Sequence, residues 1–294
     1  MNSVEAANGV QNGAQDPSTS VQQSTSELFQ ALEVAHDPRS KPERRQEAFR
    51  YLEQVKEQDD APSKGFTLAI DKSHSVEVRH FGLSLLEIAI RLRWHNYQAA
   101  ETSAVRGWVL QLAQSISESD ALLIRNKVAQ LWVEIAKRSW ALDWMNMDEM
   151  LVELWNGSAV RKVLVLEVLE TLSENSFGKE DTITALRGQD LSKACVEIFT
   201  PESTLVKHFP GRDTNLKVRF GEEGWLVRIT EFLGWCNQQD LSNPDVQLCT
   251  VKALETLRSV VPWAILPGIA SANTVQKTCQ SLLSQNSSIR LVRV

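Results

Sequence analysis

Three segments of this chain repeat one another, and a chain that repeats itself at this spacing has few architectures open to it. They read Val78-Arg79-His80 followed by Leu85-Leu86-Glu87-Ile88-Ala89, Ile124-Arg125-Asn126 followed by Leu131-Trp132-Val133-Glu134-Ile135-Ala136, and Val160-Arg161-Lys162 followed by Leu166-Glu167-Val168-Leu169-Glu170. Arg79 to Arg125 is 46 residues and Arg125 to Arg161 is 36, bracketing the roughly 40–47 of a two-helix HEAT unit. The likeness extends to the segment ends, since Arg79 to Trp94 and Arg125 to Trp140 are both 15 residues. A later stretch, 246–263, carries a related Ala253-Leu254-Glu255-Thr256-Leu257 core.

Within each segment the apolar positions recur at helical spacing. Val78, Phe81, Leu85, Ile88 and Leu92 form one stripe, and Ile124, Val128, Leu131 and Ile135 another. Leu86 and Trp132 widen those stripes, so these helices must touch neighbours on two sides. That is the position of the inner helix in a stack of pairs, because one pair alone cannot bury its apolar surface. With 13 Gly and 9 Pro in 294 residues, little else interrupts helix. The expected fold class is all-α: a HEAT-repeat α-solenoid, a right-handed superhelix of antiparallel helix pairs.

Residues 1–25 are polar and aperiodic, which predicts a disordered tail. Order is expected from Ser26, which with Glu27 would cap a helix carrying Leu28, Phe29, Leu32 and Val34. The solenoid then occupies 26–294 as about six helix pairs. The segment 200–221, with two Pro and two Gly, reads as an extended loop insertion. The last repeat is expected to be truncated, residues 288–294 resembling the opening of another Val-Arg helix.

Composition and motifs exclude several functions. A net charge of −6 argues against a phosphate-binding surface dominating the chain. No apolar run approaches the roughly 20 residues that span a bilayer, and no charged-then-apolar leader precedes the repeats. Cys195, Cys236, Cys249 and Cys279 lack metal or redox spacing and read as reduced core thiols. His36, His74, His80, His95 and His208 have no ligand spacing either. Phosphate-cradling, dinucleotide-binding and nucleophile-elbow motifs are absent. Neither an enzyme nor a cofactor, metal or small-molecule substrate is expected.

What remains is macromolecular binding. The repeated Arg79, Arg125 and Arg161 have two readings: a row of cations for an acidic partner, or a ladder bonding turns of adjacent repeats. The ladder is favoured. Trp132 reads as core; Trp94, Trp140 and Trp144, near helix ends, also read as core, with partial exposure the alternative. The candidate contact residues lie opposite the apolar stripes: Glu77, His80, Ser84, Glu87 and Arg91 in one repeat, and Lys127, Gln130, Glu134 and Lys137 in the next. Solenoids use such an inner-helix wall for binding.

The blocks Arg79-His80-Phe81-Gly82-Leu83 leading to Arg93-Trp94, and Arg125-Asn126-Lys127 leading to Ala136-Lys137-Arg138-Ser139-Trp140 and Trp144, resemble the N-terminal repeats of the karyopherin-β (importin-β/exportin) superfamily, most of all the exportin-5 group. Where that family often has Pro after each of these tryptophans, Ala141 and Met145 stand here. The resemblance implies a nuclear transport receptor whose N-terminal repeats embrace the small GTPase Ran in its GTP form. It also implies structured RNA or protein as export cargo, contact with nucleoporins, no membrane, and shuttling between nucleus and cytoplasm. A general HEAT scaffold or regulatory subunit shares the period and is the alternative.

Overall fold

In a computed structural model of the chain, residues 17–177, 182–213, 216–283 and 286–292 are described. Every regular element among them is helical. The chain divides into two compact units, residues 1–61 and 62–294.

The first unit is one hairpin of α1 (Pro17–His36) and α2 (Pro42–Glu57). Leu28, Leu32 and Ala35 on one helix and Ala48, Leu52 and Val55 on the other are buried, each set following helical periodicity. Pro42 occupies the first turn of α2, where its missing N–H costs nothing. Arg45 closes the connecting turn by donating from Nη2 to the carbonyls of Asp37, Pro38 and Ser40. The expected tail needs correction: helix begins at Pro17, leaving Ser26 inside α1 and not at its cap. Once a helix is nucleated, each added residue gains a hydrogen bond, so a polar stretch can extend it. Residues 1–16 of that expectation lie outside the described residues.

The second unit contains α3 (Ala61–Ile70), α4 (Val76–Ile88), α5 (Ala99–Ser115), α6 (Leu122–Ser139), α7 (Met147–Trp155), α8 (Ala159–Phe177), α9 (Thr182–Phe199), α10 (Glu202–His208), α11 (Gly224–Cys236), α12 (Pro244–Val260), α13 (Leu266–Ser271), α14 (Thr274–Leu282) and α15 (Ser287–Leu291). Short turns pair α5 with α6, α7 with α8, α11 with α12, and α14 with α15. The second members form a row in which α4 touches α6, α6 touches α8, α8 touches α12, and α12 touches α15. One continuous apolar core runs through the row, including Leu86, Ile90, Leu131, Trp132, Ile135, Leu166, Leu169, Leu254 and Leu257. This is the stacked-pair HEAT architecture.

The motif glycine Gly82 has a packing role. A Cβ built there would stand 2.6 Å from the Gly65 carbonyl oxygen, and one on Gly65 would stand 2.6 Å from that of Gly82. α3 and α4 therefore meet backbone to backbone.

Three expectations change. Of the stripe expected along α4 only Leu85 is fully buried: Val78, Phe81 and Ile88 are half-buried and Leu92 is 66% exposed, while the buried face runs through Leu83, Leu86 and Ile90. After Ile88 the helix widens into a π-helical turn at Ala89–Arg93; the extra residue rotates the succeeding side chains by about 100°. Trp140 and Trp144 are core, in keeping with the favoured reading, the latter 5.3 Å ring to ring from Trp132, whereas Trp94 is half-buried. Ala141 between them has φ 61°, a conformation closed to proline, which accounts for the departure from the family's Pro pattern. Cys279 is exposed and the other three thiols are buried.

The third change concerns 200–221, which is no loose loop. It contains α10 and is pinned to the unit by polar contacts. Arg219 donates to the Glu197 and Thr200 carbonyls and pairs with Glu202 at 3.2 Å. Phe220 N donates to Asp148 at 2.6 Å, and Trp225 Nε1 to the same buried carboxylate at 2.6 Å. Together α9, α10 and this segment form an insertion that leaves α8 and α12 in direct contact.

Candidate partner-binding face

The repeated arginines are a structural ladder. Arg79 Nη1 lies 2.7 Å from Asp120 Oδ1, both side chains almost wholly buried, and its Nε donates to the Ala69 carbonyl. Asp120 also accepts from Lys72 Nζ at 2.9 Å and from the Ser117 amide at 2.8 Å. Burial pushes its carboxyl upward, but the bonds from Lys72, Ser117 and Arg79 outweigh burial and hold it at about 2. Arg125 Nε donates to the Asp120 carbonyl, and Arg161 Nη2 to the Gln114 carbonyl. All three guanidinium groups are thus engaged by turns and helix ends.

The polar face along α4 and α6 is a separate feature. Glu77 and Arg91 are exposed, and His80, Ser84, Glu87, Lys127 and Gln130 are half-buried. Glu87 is the hub: it accepts from Lys127 Nζ at 2.5 Å and Gln130 Nε2 at 3.3 Å across the repeat boundary, and lies 3.5 Å from Arg91. Ser84 turns inward on its own helix, donating to the His80 carbonyl.

Glu134 and Lys137 do not join this face. They are 8% and 2% exposed and pair with each other at 2.7 Å, with Arg138 on the second Glu134 oxygen. The insertion closes over this end of α6: Arg187 of α9 donates to the Lys137 and Trp140 carbonyls. On the other side Arg138 reaches the Arg91 carbonyl. Helical periodicity placed both residues opposite the apolar stripe, but a contact from 50 residues away buries them.

The polar face continues onto α8 and α12, beyond the residues expected from spacing. Lys252 of α12 pairs with Glu167 and, at 2.7 Å, with Glu170 of α8, with Glu255 at 3.6 Å. Two acids one turn apart on α8 were the available signal; their cation lies on a helix made adjacent only by the insertion. The resulting wall alternates in sign and is largely self-paired. Such a wall offers no concentrated positive field to phosphates.

No chemistry-bearing cluster competes with this reading among the described residues. Burial pushes the Cys195 and Cys236 thiols to about 12 and that of Cys249 to about 11, so they stay protonated and unreactive. Among the described residues no group of three or more His, Cys, Asp or Glu is placed to hold a metal ion, and no helix is long and apolar enough to cross a membrane.

The same region carries the matches to known proteins. Residues 48–134 match the importin-beta N-terminal domain and residues 122–201 match exportin 1-like protein. Protein MSN5 of Saccharomyces cerevisiae is 30% identical over 275 residues, 89% of this chain and 22% of that protein. Exportin-5 of Mus musculus is 30% identical over 266 residues, 88% of this chain and 21% of that protein. Exportin-5 of Dictyostelium discoideum is 27% identical over 184 residues, 62% of this chain and 16% of that protein. The chain thus spans about a fifth of the length of the curated relatives it matches.

Proposed function

The chain belongs to the karyopherin-β (importin-β/exportin) superfamily, most like the exportin-5 group, and from that membership we propose that it forms the N-terminal repeats of a nuclear export receptor and binds Ran in its GTP form. It is a receptor and not a catalyst, holding cargo of structured RNA or protein for passage through the nuclear pore and contacting nucleoporins on the way. It shuttles between nucleus and cytoplasm.

The observation that carries this reading is the polar wall within the matched domain. Glu77, His80, Ser84, Glu87, Arg91, Lys127 and Gln130 stand on α4 and α6 with their charges linked across the repeat boundary. We assign these seven as contacts to the GTPase and leave out Glu134 and Lys137, whose burial removes them from reach.

The test is a pull-down of the full-length protein with purified Ran locked in the GTP or GDP form. Preferential capture of the GTP form is expected, weakened by Glu87→Lys combined with Lys127→Glu, which preserves the pair while reversing both charges. Equal or absent capture of the two forms sinks the assignment.

A further inference from the structure

The turn that opens α6 is a site of another kind, apart from the wall assigned to Ran. Residues 117–120 read Ser-Glu-Ser-Asp; Glu118 and Ser119 are exposed, and Asp120 is buried. Beside the turn lies an open cavity of about 480 Å³. Ser117, Glu118, Ser119, Ser158 and Arg161 line it together with Ile116. The turn of one repeat therefore shares a space with the guanidinium that begins the next.

Cations outnumber acids around this turn. Lys72 and Arg79 hold the Asp120 carboxylate, Arg125 donates to the Asp120 and Glu118 carbonyls, and Arg161 stands across the cavity. Against these four cations are three acids: Asp120, Glu118 and Asp71, the last in the field of Arg79. Arg161 is held by the Gln114 carbonyl and Arg125 by the two turn carbonyls, so neither guanidinium has a carboxylate partner among the described residues. The turn already favours negative charge: in spite of burial, the bonds from Lys72, Ser117 and Arg79 hold the Asp120 carboxyl at about 2.

The two serines of the turn are not equivalent. Ser117 is half-buried, and its Oγ bonds Lys72 Nζ at 2.7 Å and Asp120 at 3.0 Å. Among the described residues the Ser119 Oγ meets only the Ser117 hydroxyl, at 3.0 Å.

We propose that Ser119 is a phosphorylation site and that its phosphate occupies this cavity, accepting from Arg161 and tying the α5–α6 turn to the start of α8. In the transfer, Ser119 Oγ attacks the γ-phosphorus of a nucleoside triphosphate held by an acid-directed protein kinase. The new Oγ–P bond replaces the bond to the β-phosphate oxygen, the diphosphate leaves, and the hydroxyl proton passes to a base of the kinase. Glu118 and Asp120 flank the acceptor, as a kinase of that class requires. A phosphate carries roughly −1.5 to −2 charges, enough to offset the two guanidinium groups that lack a carboxylate, and its planar fork makes arginine a favoured phosphate partner. Free phosphate is the weaker occupant. It must enter beside Glu118 untethered, whereas attachment to Ser119 supplies a high effective concentration.

Incubating the folded chain with purified casein kinase 2, an acid-directed enzyme, and ATP tests this, with the product mapped by tandem mass spectrometry. Phosphate on Ser119, abolished by Ser119→Ala, is expected. The phosphorylated chain should melt about 2–4 °C above the unmodified one. That rise should vanish in Arg161→Gln, compared with its own unphosphorylated form. Because Arg161→Gln can disturb the stack, phosphorus NMR of the unaltered phosphoprotein supplies a second readout: the second ionisation of the phosphate should fall below its ordinary value of about 6. No modification of Ser119, modification of Ser117 or Ser158 in its place, or an unchanged or lowered melting point overturns the proposal. So does a rise that survives Arg161→Gln, an ionisation at or above the ordinary value, or an equal rise with inorganic phosphate alone, which identifies a free-anion site. None of these outcomes bears on Ran capture by the unmodified protein, so failure here and failure of the receptor assignment are distinguishable.

Discussion

Arg79 and Asp120 form a 2.7 Å ion pair with almost no access to water, joining the start of α4 to the turn that opens α6. Removing Arg79 leaves Asp120 Oδ1 buried without its partner while Lys72 and Ser117 still hold Oδ2, so Arg79→Ala should lower stability by about 1–3 kcal/mol. Arg79→Lys should recover only part of this, because the Nε bond to the Ala69 carbonyl is lost with the guanidinium. Urea denaturation of the three proteins measures both effects.

The same pair sets an acid limit. The Asp120 carboxyl, held at about 2 against an ordinary 3.8, contributes stability that is fully present above the ordinary value. That stability is lost as pH falls from there to about 2, a loss of roughly 2–3 kcal/mol. Denaturation midpoints measured across this range should fall in the native protein, and Asp120→Asn should flatten that part of the profile.

Asp148 should show the opposite slope. Burial raises its carboxyl to about 6, against the lowering bonds from the Phe220 amide and Trp225 indole. The folded state therefore holds a proton that the unfolded chain releases earlier. The contribution from this group is largest below the ordinary carboxylate value, declines as pH rises toward 6, and is constant above it. Stability compared at the two ends of this interval, in the native protein and in Asp148→Asn, isolates it: the decline should be absent from the variant.

Gly82→Ala places a methyl group 2.6 Å from a backbone oxygen on α3. Neither helix backbone can yield without moving its repeat, so a loss of about 1–3 kcal/mol is expected despite alanine's better helix propensity. A thermal midpoint equal to that of the native chain would show that α3 and α4 are not in backbone contact.

Lys137 and Lys127 lie on the same helix yet should respond differently to charge reversal. Lys137→Glu buries a second carboxylate beside Glu134, and should cost about 3–5 kcal/mol. Lys127→Glu acts at a half-buried site and should cost about 1 kcal/mol, largely restored by adding Glu87→Lys. A double-mutant cycle by calorimetry checks the pairing of Lys127 with Glu87.

Several of these features were readable before any coordinates. The Val-Arg recurrence and the apolar stripes identified α4, α6 and α8 as stacked inner helices, because burial of a helix face is written in residue spacing. The arginine ladder was readable because the cation recurs at each helix start, although the turn and helix-end acceptors that engage it differ from one repeat to the next. The family resemblance rested on those same blocks.

Spacing alone did not reveal what depends on distant chain segments. The π-helical turn that exposes Leu92, the burial of Glu134 and Lys137 against α9, and the pairing of Lys252 with Glu167 and Glu170 all arise where segments far apart in sequence meet. Local pattern determines which face of a helix is apolar. Only tertiary packing decides what covers the opposite face, because desolvation depends on every neighbour in space, and in this protein the insertion built from α9, α10 and a 200–221 segment that read as loop supplies the cover.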